Sequence, residues 1–199
     1  MISFNESQAL ELFRASGAYL DGHFLLTSGR HSSAYVEKFQ VLQYPEHCAR
    51  LCAAIADAFR DLKPDVVVGP AVGGIVLAYE TARALGVRGI FLEREEGKLA
   101  LRRGFEIGPT EKVLIVEDVV TTGTSVFEVL DALKREKHEG RILGVGYLVD
   151  RSGGDVDFGV GRQVPVMRLD LPTWDPASCP LCKESKPLTK RGSRKVPGA

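Results

Sequence analysis

Thirteen residues near the middle of the chain, Val113-Leu114-Ile115-Val116-Glu117-Asp118-Val119-Val120-Thr121-Thr122-Gly123-Thr124-Ser125, constrain its fold more than any other stretch. Four consecutive apolar residues, three of them β-branched, predict a short strand buried on both faces. Glu117 and Asp118 stand where that strand would end, and four hydroxyls follow around Gly123. Residues 126–133 then repeat apolar side chains at helical period. A strand, a small hydroxyl-rich turn and a helix N-terminus form a ready anion site, because turn N–H groups converge where the helix dipole is positive. The acidic pair upstream would repel a phosphate but suits sugar hydroxyls or a hydrated Mg²⁺. Both preferences in one turn describe a ribose phosphate. Taken alone, the turn could also be an ordinary connection whose hydroxyls cap the helix.

The rest of the chain supplies the sheet that such a strand needs. Asp65-Val66-Val67-Val68-Gly69 predicts a second buried strand, leading through Pro70–Gly74 into a helix from Ile75 to about Leu85, ended by Gly86. Residues 87–92 and 142–149 are also strand-like. A short amphipathic helix is expected from Glu6 to Ser16, two short strands around the Ser28-Gly29-Arg30 turn, and a long helix from Pro45 to about Leu62. Strands alternating with helices imply an α/β fold, a mostly parallel twisted sheet flanked by helices, with ligands at the carboxyl edge of the strands. That edge would gather Gly69–Gly74, Glu117–Ser125 and Asp150-Arg151. Residues 93–110 are long, charged and weakly patterned for a core connection. They read as a lid, with Leu99 and Leu101 alternating as in a β-hairpin.

At 199 residues the chain suits one domain with small additions. Lysine plus arginine balances aspartate plus glutamate at 26 each, so no global field recruits nucleic acid or a membrane. With no long apolar run and no basic-then-apolar start, a cytoplasmic protein is expected. From Lys183 to Ala199 six basic residues face one acid, which reads as a weakly ordered, solvated tail. Cys48 and Cys52 fall at helical spacing beside Leu51, Ile55 and Phe59, a packing arrangement. Cys179-Pro180-Leu181-Cys182 has the spacing of a zinc or redox element. It supplies only two ligands, with no histidine nearby in sequence. Reduced thiols or a facultative disulfide are therefore expected, with a four-cysteine site joining both pairs as the alternative.

The Val113–Ser125 stretch resembles the phosphoribosyl-diphosphate motif of the type I phosphoribosyltransferases, without a gap. Leu26–Ser32 resembles the Lys-Ser-Gly turn near the start of the orotate phosphoribosyltransferases, and Gly69–Gly74 resembles their pyrophosphate loop. Leu148-Val149-Asp150-Arg151 resembles the strand end that gives them an arginine for orotate. Cys179–Lys183 with Gly192-Ser193-Arg194 looks like the C-terminus of one branch of that family. The resemblance covers nearly the whole chain. It implies a single domain over 1–182, with 1–44 as a small hood that recognises the base, 93–110 as the flexible lid and 183–199 as a basic tail.

The reaction implied joins N1 of orotate to C1′ of 5-phosphoribosyl-1-diphosphate, giving orotidine 5′-monophosphate and diphosphate for pyrimidine synthesis. Mg²⁺ on the diphosphate, with Asp118 as a further candidate ligand, and an oxocarbenium-like transition state come with it. Glu117 and Asp118 would hold the ribose hydroxyls, and Val119, Val120, Thr121, Thr122, Gly123, Thr124 and Ser125 the 5′-phosphate. Val72 and Gly73 would lie along the diphosphate. Arg151, Tyr35, Val36 and Thr121 would meet the orotate, a guanidinium matching its planar carboxylate bidentately. Lid cations are expected at Arg94 and Lys98 as catalytic groups, with Arg102 and Arg103 either compensating for others or binding elsewhere. The chain departs from the family pattern at Thr27 and Gly73, where many members carry lysines, and at the lid start, Glu93-Arg94-Glu95. A homodimer, with lid residues crossing to the neighbour's site, is implied as well. His23 and His31 read as surface or hydrogen-bonding histidines rather than a general base, since N1 of orotate is acidic enough to need little help. The alternatives are a type I phosphoribosyltransferase acting on a purine, or a regulator that senses phosphoribosyl diphosphate.

Overall fold

The Val113–Val116 run is buried on both sides because helices cover both faces of the sheet it centres. In the computed structural model, which describes residues 4–26 and 28–191, the chain order begins α1 (Glu6–Ala15), β1 (Tyr19–Leu25), β2 (His31–Val36), α2 (Lys38–Leu42) and α3 (Pro45–Phe59). It continues β3 (Val66–Pro70), α4 (Gly73–Leu85), β4 (Arg88–Glu95), β5 (Lys98–Leu101), β6 (Val113–Val120), α5 (Thr124–Arg135) and β7 (Ile142–Asp150). It closes with β8 (Arg162–Arg168), β9 (Thr173–Trp174), α6 (Pro180–Lys183) and β10 (Thr189–Lys190). Thr27 and the Gly192-Ser193-Arg194 segment lie outside the described residues.

The main sheet has the order β5-β4-β3-β6-β7-β8 and is parallel except for the β4–β5 hairpin. β3 runs between β4 and β6, so the connections leave it in opposite directions and open a crevice at its carboxyl end, where α/β sheets bind ligands. Strand alternation divides the core in two. Val67, Leu114 and Val116 pack with α1, α3 and α4 on one face, whereas Val66, Val68, Val113 and Ile115 pack with α5 on the other. Cys48 and Cys52 belong to the first cluster, as their spacing predicted.

The helices end where local chemistry ends them. Asn5 and Gln8 form a reciprocal capping box at the start of α1. Pro45 occupies the first turn of α3, where its missing N–H costs nothing. No strand was expected at β8, whose Pro165 cannot donate to a ladder; the strand survives because it is an edge.

A second sheet, β10-β1-β2-β9, forms the hood. Its hairpin pairs Tyr19 with Val36 and Leu25 with His31 around the Ser28-Gly29-Arg30 turn. The two flanking strands come from the other end of the chain. Residues 183–191 therefore depart from the expected weakly ordered tail: Phe24 pairs with Thr189 and Leu25 with Lys190. Two-residue strands carry no hydrophobic period, so sequence patterning could not reveal them.

Candidate active site

Glu117 and Asp118 are neighbours on β6, and the two-residue period of a strand sends their side chains to opposite sides. Glu117 faces a cleft of about 280 Å³ lined by Val119, Val120, Thr121, Thr122, Gly123, Thr124, Ser125 and Arg94. Asp118 turns toward the start of α4, where Lys38 Nζ lies 2.9 Å from its Oδ1 and 2.8 Å from its Oδ2. Both carboxylates are buried. Burial, reinforced by the Asp118 charge, pushes the Glu117 carboxyl up to about 8 even though its Oε1 accepts the Asp118 N–H at 2.8 Å.

The turn after β6 is built as an open anion cradle. Gly123 is the N-cap of α5 with φ of +73°, a conformation that disfavours side chains, and no side chain caps the helix. Thr122 and Thr124 bond each other through their hydroxyls at 2.8 Å instead. The first N–H groups of α5 are thus not consumed by side-chain capping.

Gly73 is the first residue of α4, and a Cβ there would run into Asp118 Oδ2. The carboxylate occupies the space that any side chain would need, which accounts for glycine at this position. Val72, just before it, is 69% exposed, and the Ala71–Val72 peptide is cis. Lys38 was not among the residues expected at the site. No local pattern marks it, since it meets Asp118 only when α2 is folded against the sheet.

Arg151 follows β7, and its N–H donates to Val120 O at 2.8 Å, which hangs it beside the Thr121 turn. Asp150 holds the bend by accepting the Ser152 N–H at 2.8 Å and the Ser152 hydroxyl at 2.6 Å. The guanidinium has no ion pair among the described residues, and its buried Nε has no hydrogen-bond partner. Arg151 lines a second cleft, of about 350 Å³, with Arg168, Leu169 and Thr173. Tyr35, half-buried on β2, packs its ring 5.7 Å from that of Phe24, and burial raises its hydroxyl while the Arg151 charge opposes the rise. Val36 packs into the core.

Of the lid cations, only Arg94 reaches the cleft. Its Nη2 lies 2.6 Å from Glu128 on α5, and its Nη1 donates to Gly97 O at 2.8 Å across the hairpin turn. Lys98 is exposed at the start of β5. Arg103 binds Glu93, and Arg102 lies 3.4 Å from Glu95, so both are engaged within the hairpin rather than compensating at the site. Arg30 likewise ties its turn to β9, through Thr173 Oγ1 at 3.0 Å and Asp175 Oδ1 at 2.8 Å.

Residues 40–157 match the model of the phosphoribosyl transferase domain. A Desulforamulus reducens protein named orotate phosphoribosyltransferase is 47% identical over 192 residues, spanning 96% of this chain and 99% of its own. One of the same name from Heliobacterium modesticaldum is 52% identical over 192 residues, with the same shares covered. This chain belongs to the orotate phosphoribosyltransferase family. The fold agrees, since the crystal structure of orotate phosphoribosyltransferase from Aeropyrum pernix superposes with a TM-score of 0.63 at 25% identity, covering 80% of this chain and 93% of that one. Against the pattern of this phosphoribosyltransferase family, Thr121–Ser125, Glu117 and Arg94 converge in one cleft, with Asp118 and Gly73 behind it and Arg151 beside it. Lys98, Arg102 and Arg103 do not join them.

Proposed function

We propose that the site transfers the ribose 5-phosphate of 5-phosphoribosyl-1-diphosphate to N1 of orotate, releasing diphosphate, as the family does. The observation that carries the choice of base is Arg151, a partly buried guanidinium with an unpartnered Nε hung beside the phosphate turn. An unpaired buried N–H costs free energy until an acceptor arrives, and a planar carboxylate supplies two oxygens in the right geometry. A purine offers no carboxylate to this position.

The 5′-phosphate sits on the uncapped N-terminus of α5 and the Thr121–Ser125 hydroxyls. Glu117 accepts from the ribose hydroxyls in the cleft, with Asp118 beneath. Glycosyl transfer through an oxocarbenium-like state needs positioning and leaving-group neutralisation more than a nucleophile. Arg94 contributes one positive charge from the hairpin. Both Asp118 oxygens are within reach of Lys38, so the donor set fits a Mg²⁺ that arrives on the substrate's diphosphate better than a resident ion. When bound there, Mg²⁺ supplies charge neutralisation to the leaving group.

The working unit is a homodimer. Val72, Val76 and Tyr79 stand at positions i, i+4 and i+7 along one side of α4 and are exposed, an apolar stripe beside the site that a second copy would cover. The exposed Lys98 then acts across that interface. No helix among the described residues is long and apolar enough to cross a membrane, and four free cysteines fit a reducing cytoplasm.

The test follows orotate consumption by ultraviolet absorbance with phosphoribosyl diphosphate and Mg²⁺, and screens adenine, hypoxanthine and uracil in parallel. Arg151→Ala should lower kcat/KM for orotate by about 100-fold, the cost of one charge-assisted pair of roughly 3 kcal/mol. A purine consumed faster than orotate, or an unchanged Arg151→Ala enzyme, would overturn the assignment.

A further inference from the structure

Away from that site, four metal-ligating side chains converge at the base of the hood. His23 on β1, His31 at the start of β2, Cys179 immediately before α6 and Cys182 within it place one ligand atom each within 4.8 Å of all the others. The sequence separates these two pairs by about 150 residues, and the docking of β9 on β2 and of β10 on β1 brings them together. The cysteines are free, as expected, and the alternative four-cysteine site does not form, since Cys48 and Cys52 lie in the α3 core. His23 and His31 are hydrogen-bonding histidines as expected, but buried rather than on the surface.

We propose that His23, His31, Cys179 and Cys182 form a structural zinc site that pins the C-terminal segment to the hood. The distances fit. His23 Nε2 lies 2.9 Å from His31 Nδ1, 3.5 Å from Cys179 Sγ and 3.8 Å from Cys182 Sγ, and Cys182 Sγ lies 3.3 Å from His31 Nδ1. A tetrahedral zinc with Zn–N of about 2.1 Å and Zn–S of about 2.3 Å needs edges of about 3.4 Å between nitrogens and about 3.6 Å between nitrogen and sulfur. The two rings need to part by about half an ångström, and the remaining ligand pairs, which lie within 4.8 Å, need to close onto the ion.

The ring orientation is also set. His23 Nδ1 lies 2.8 Å from Lys186 O, a group that only accepts, so Nδ1 carries the proton and Nε2 turns its lone pair to the cluster. A backbone carbonyl on the second nitrogen is the usual support of a metal-bound histidine. Two imidazoles and two thiols with no carboxylate select zinc over magnesium or calcium. Four protein ligands leave no open position, so the site is structural rather than catalytic.

Its consequence is mechanical. α6 has four residues and β10 only two ladder pairs, neither of which is stable alone. Metal binding supplies that stability, because the ligands converge only in the folded chain. It also braces the β1–β2 hairpin that carries Tyr35.

The full chain, purified without a histidine tag or added metal, should contain about one zinc per chain by elemental analysis, with both Cys179 and Cys182 shielded from thiol reagents. A strong chelator should lower its melting midpoint by roughly 5–10 °C, and zinc but not Mg²⁺ should restore it. Cobalt(II) added to the chelated chain should give tetrahedral visible bands and thiolate charge transfer, both lost in Cys182→Ser. A metal-free chain whose melting ignores chelator and zinc overturns the proposal. So does a Cys179–Cys182 disulfide in the freshly purified chain, or a Cys182→Ser chain that binds zinc as tightly as wild type.

Discussion

Glu117 holds its proton to about pH 8 in the folded chain, against a usual value of 4.5. The folded state therefore binds more protons than the unfolded state between these limits. The linked stability is fully present at low pH and is lost as pH rises through 8, on the order of a few kcal/mol. Urea midpoints of the ligand-free chain should fall from pH 6 to 9, and Glu117→Gln should flatten that fall. Lys38 is the cation paired with the buried Asp118, and it keeps 33% of its side chain in water. Lys38→Met should cost about 1–3 kcal/mol, less than breaking a fully buried pair. Asp118→Asn in the same chain should recover most of that loss, because the uncompensated charge goes with it.

At the scale of elements, the lid is less free than its composition suggests. Leu99 on β5 is buried among Val68, Ile90 and Val129, and Arg135 on α5 donates to Leu99 O at 2.5 Å. Leu99 pairs with Arg94 one rung from the turn, so the hairpin is anchored in the core close to its tip. Leu99→Ala should cost about 2–4 kcal/mol in denaturant unfolding, as for other buried leucines, and should lower kcat by displacing Arg94. The start of α4 is equally constrained. A methyl group at Gly73 has nowhere to go but into Asp118, so Gly73→Ala should raise KM for phosphoribosyl diphosphate far more than KM for orotate. Steady-state kinetics with each substrate varied in turn checks this.

For the whole molecule, the unresolved charge is Lys98. On one chain it stands in solvent, away from the cleft that Arg94 reaches. If the lid acts in a homodimer, a mixture of Lys98→Ala and Asp118→Asn chains, each inactive alone, should regain about a quarter of wild-type activity. Half the dimers would be mixed, and each of those has one intact site. No recovery after subunit exchange would confine the lid to its own chain.

The β6 strand, the acidic pair, the phosphate turn and the parallel α/β architecture were all legible before folding. Those features rest on local period and on short contiguous chemistry, which a chain displays before it folds. The helix bounds at Glu6, Pro45 and Gly86 were legible for the same reason, since caps act within one turn. It took the folded molecule to show that Lys38 pairs with Asp118 and that Arg102 and Arg103 pair within the hairpin. It alone assembled the His23–His31–Cys179–Cys182 cluster. Each of these depends on contacts between residues dozens to more than a hundred positions apart, or on competition between cations that composition weighs equally. Pairing of that kind has no period in the sequence; it exists only once the sheet and the hood have brought distant strands together.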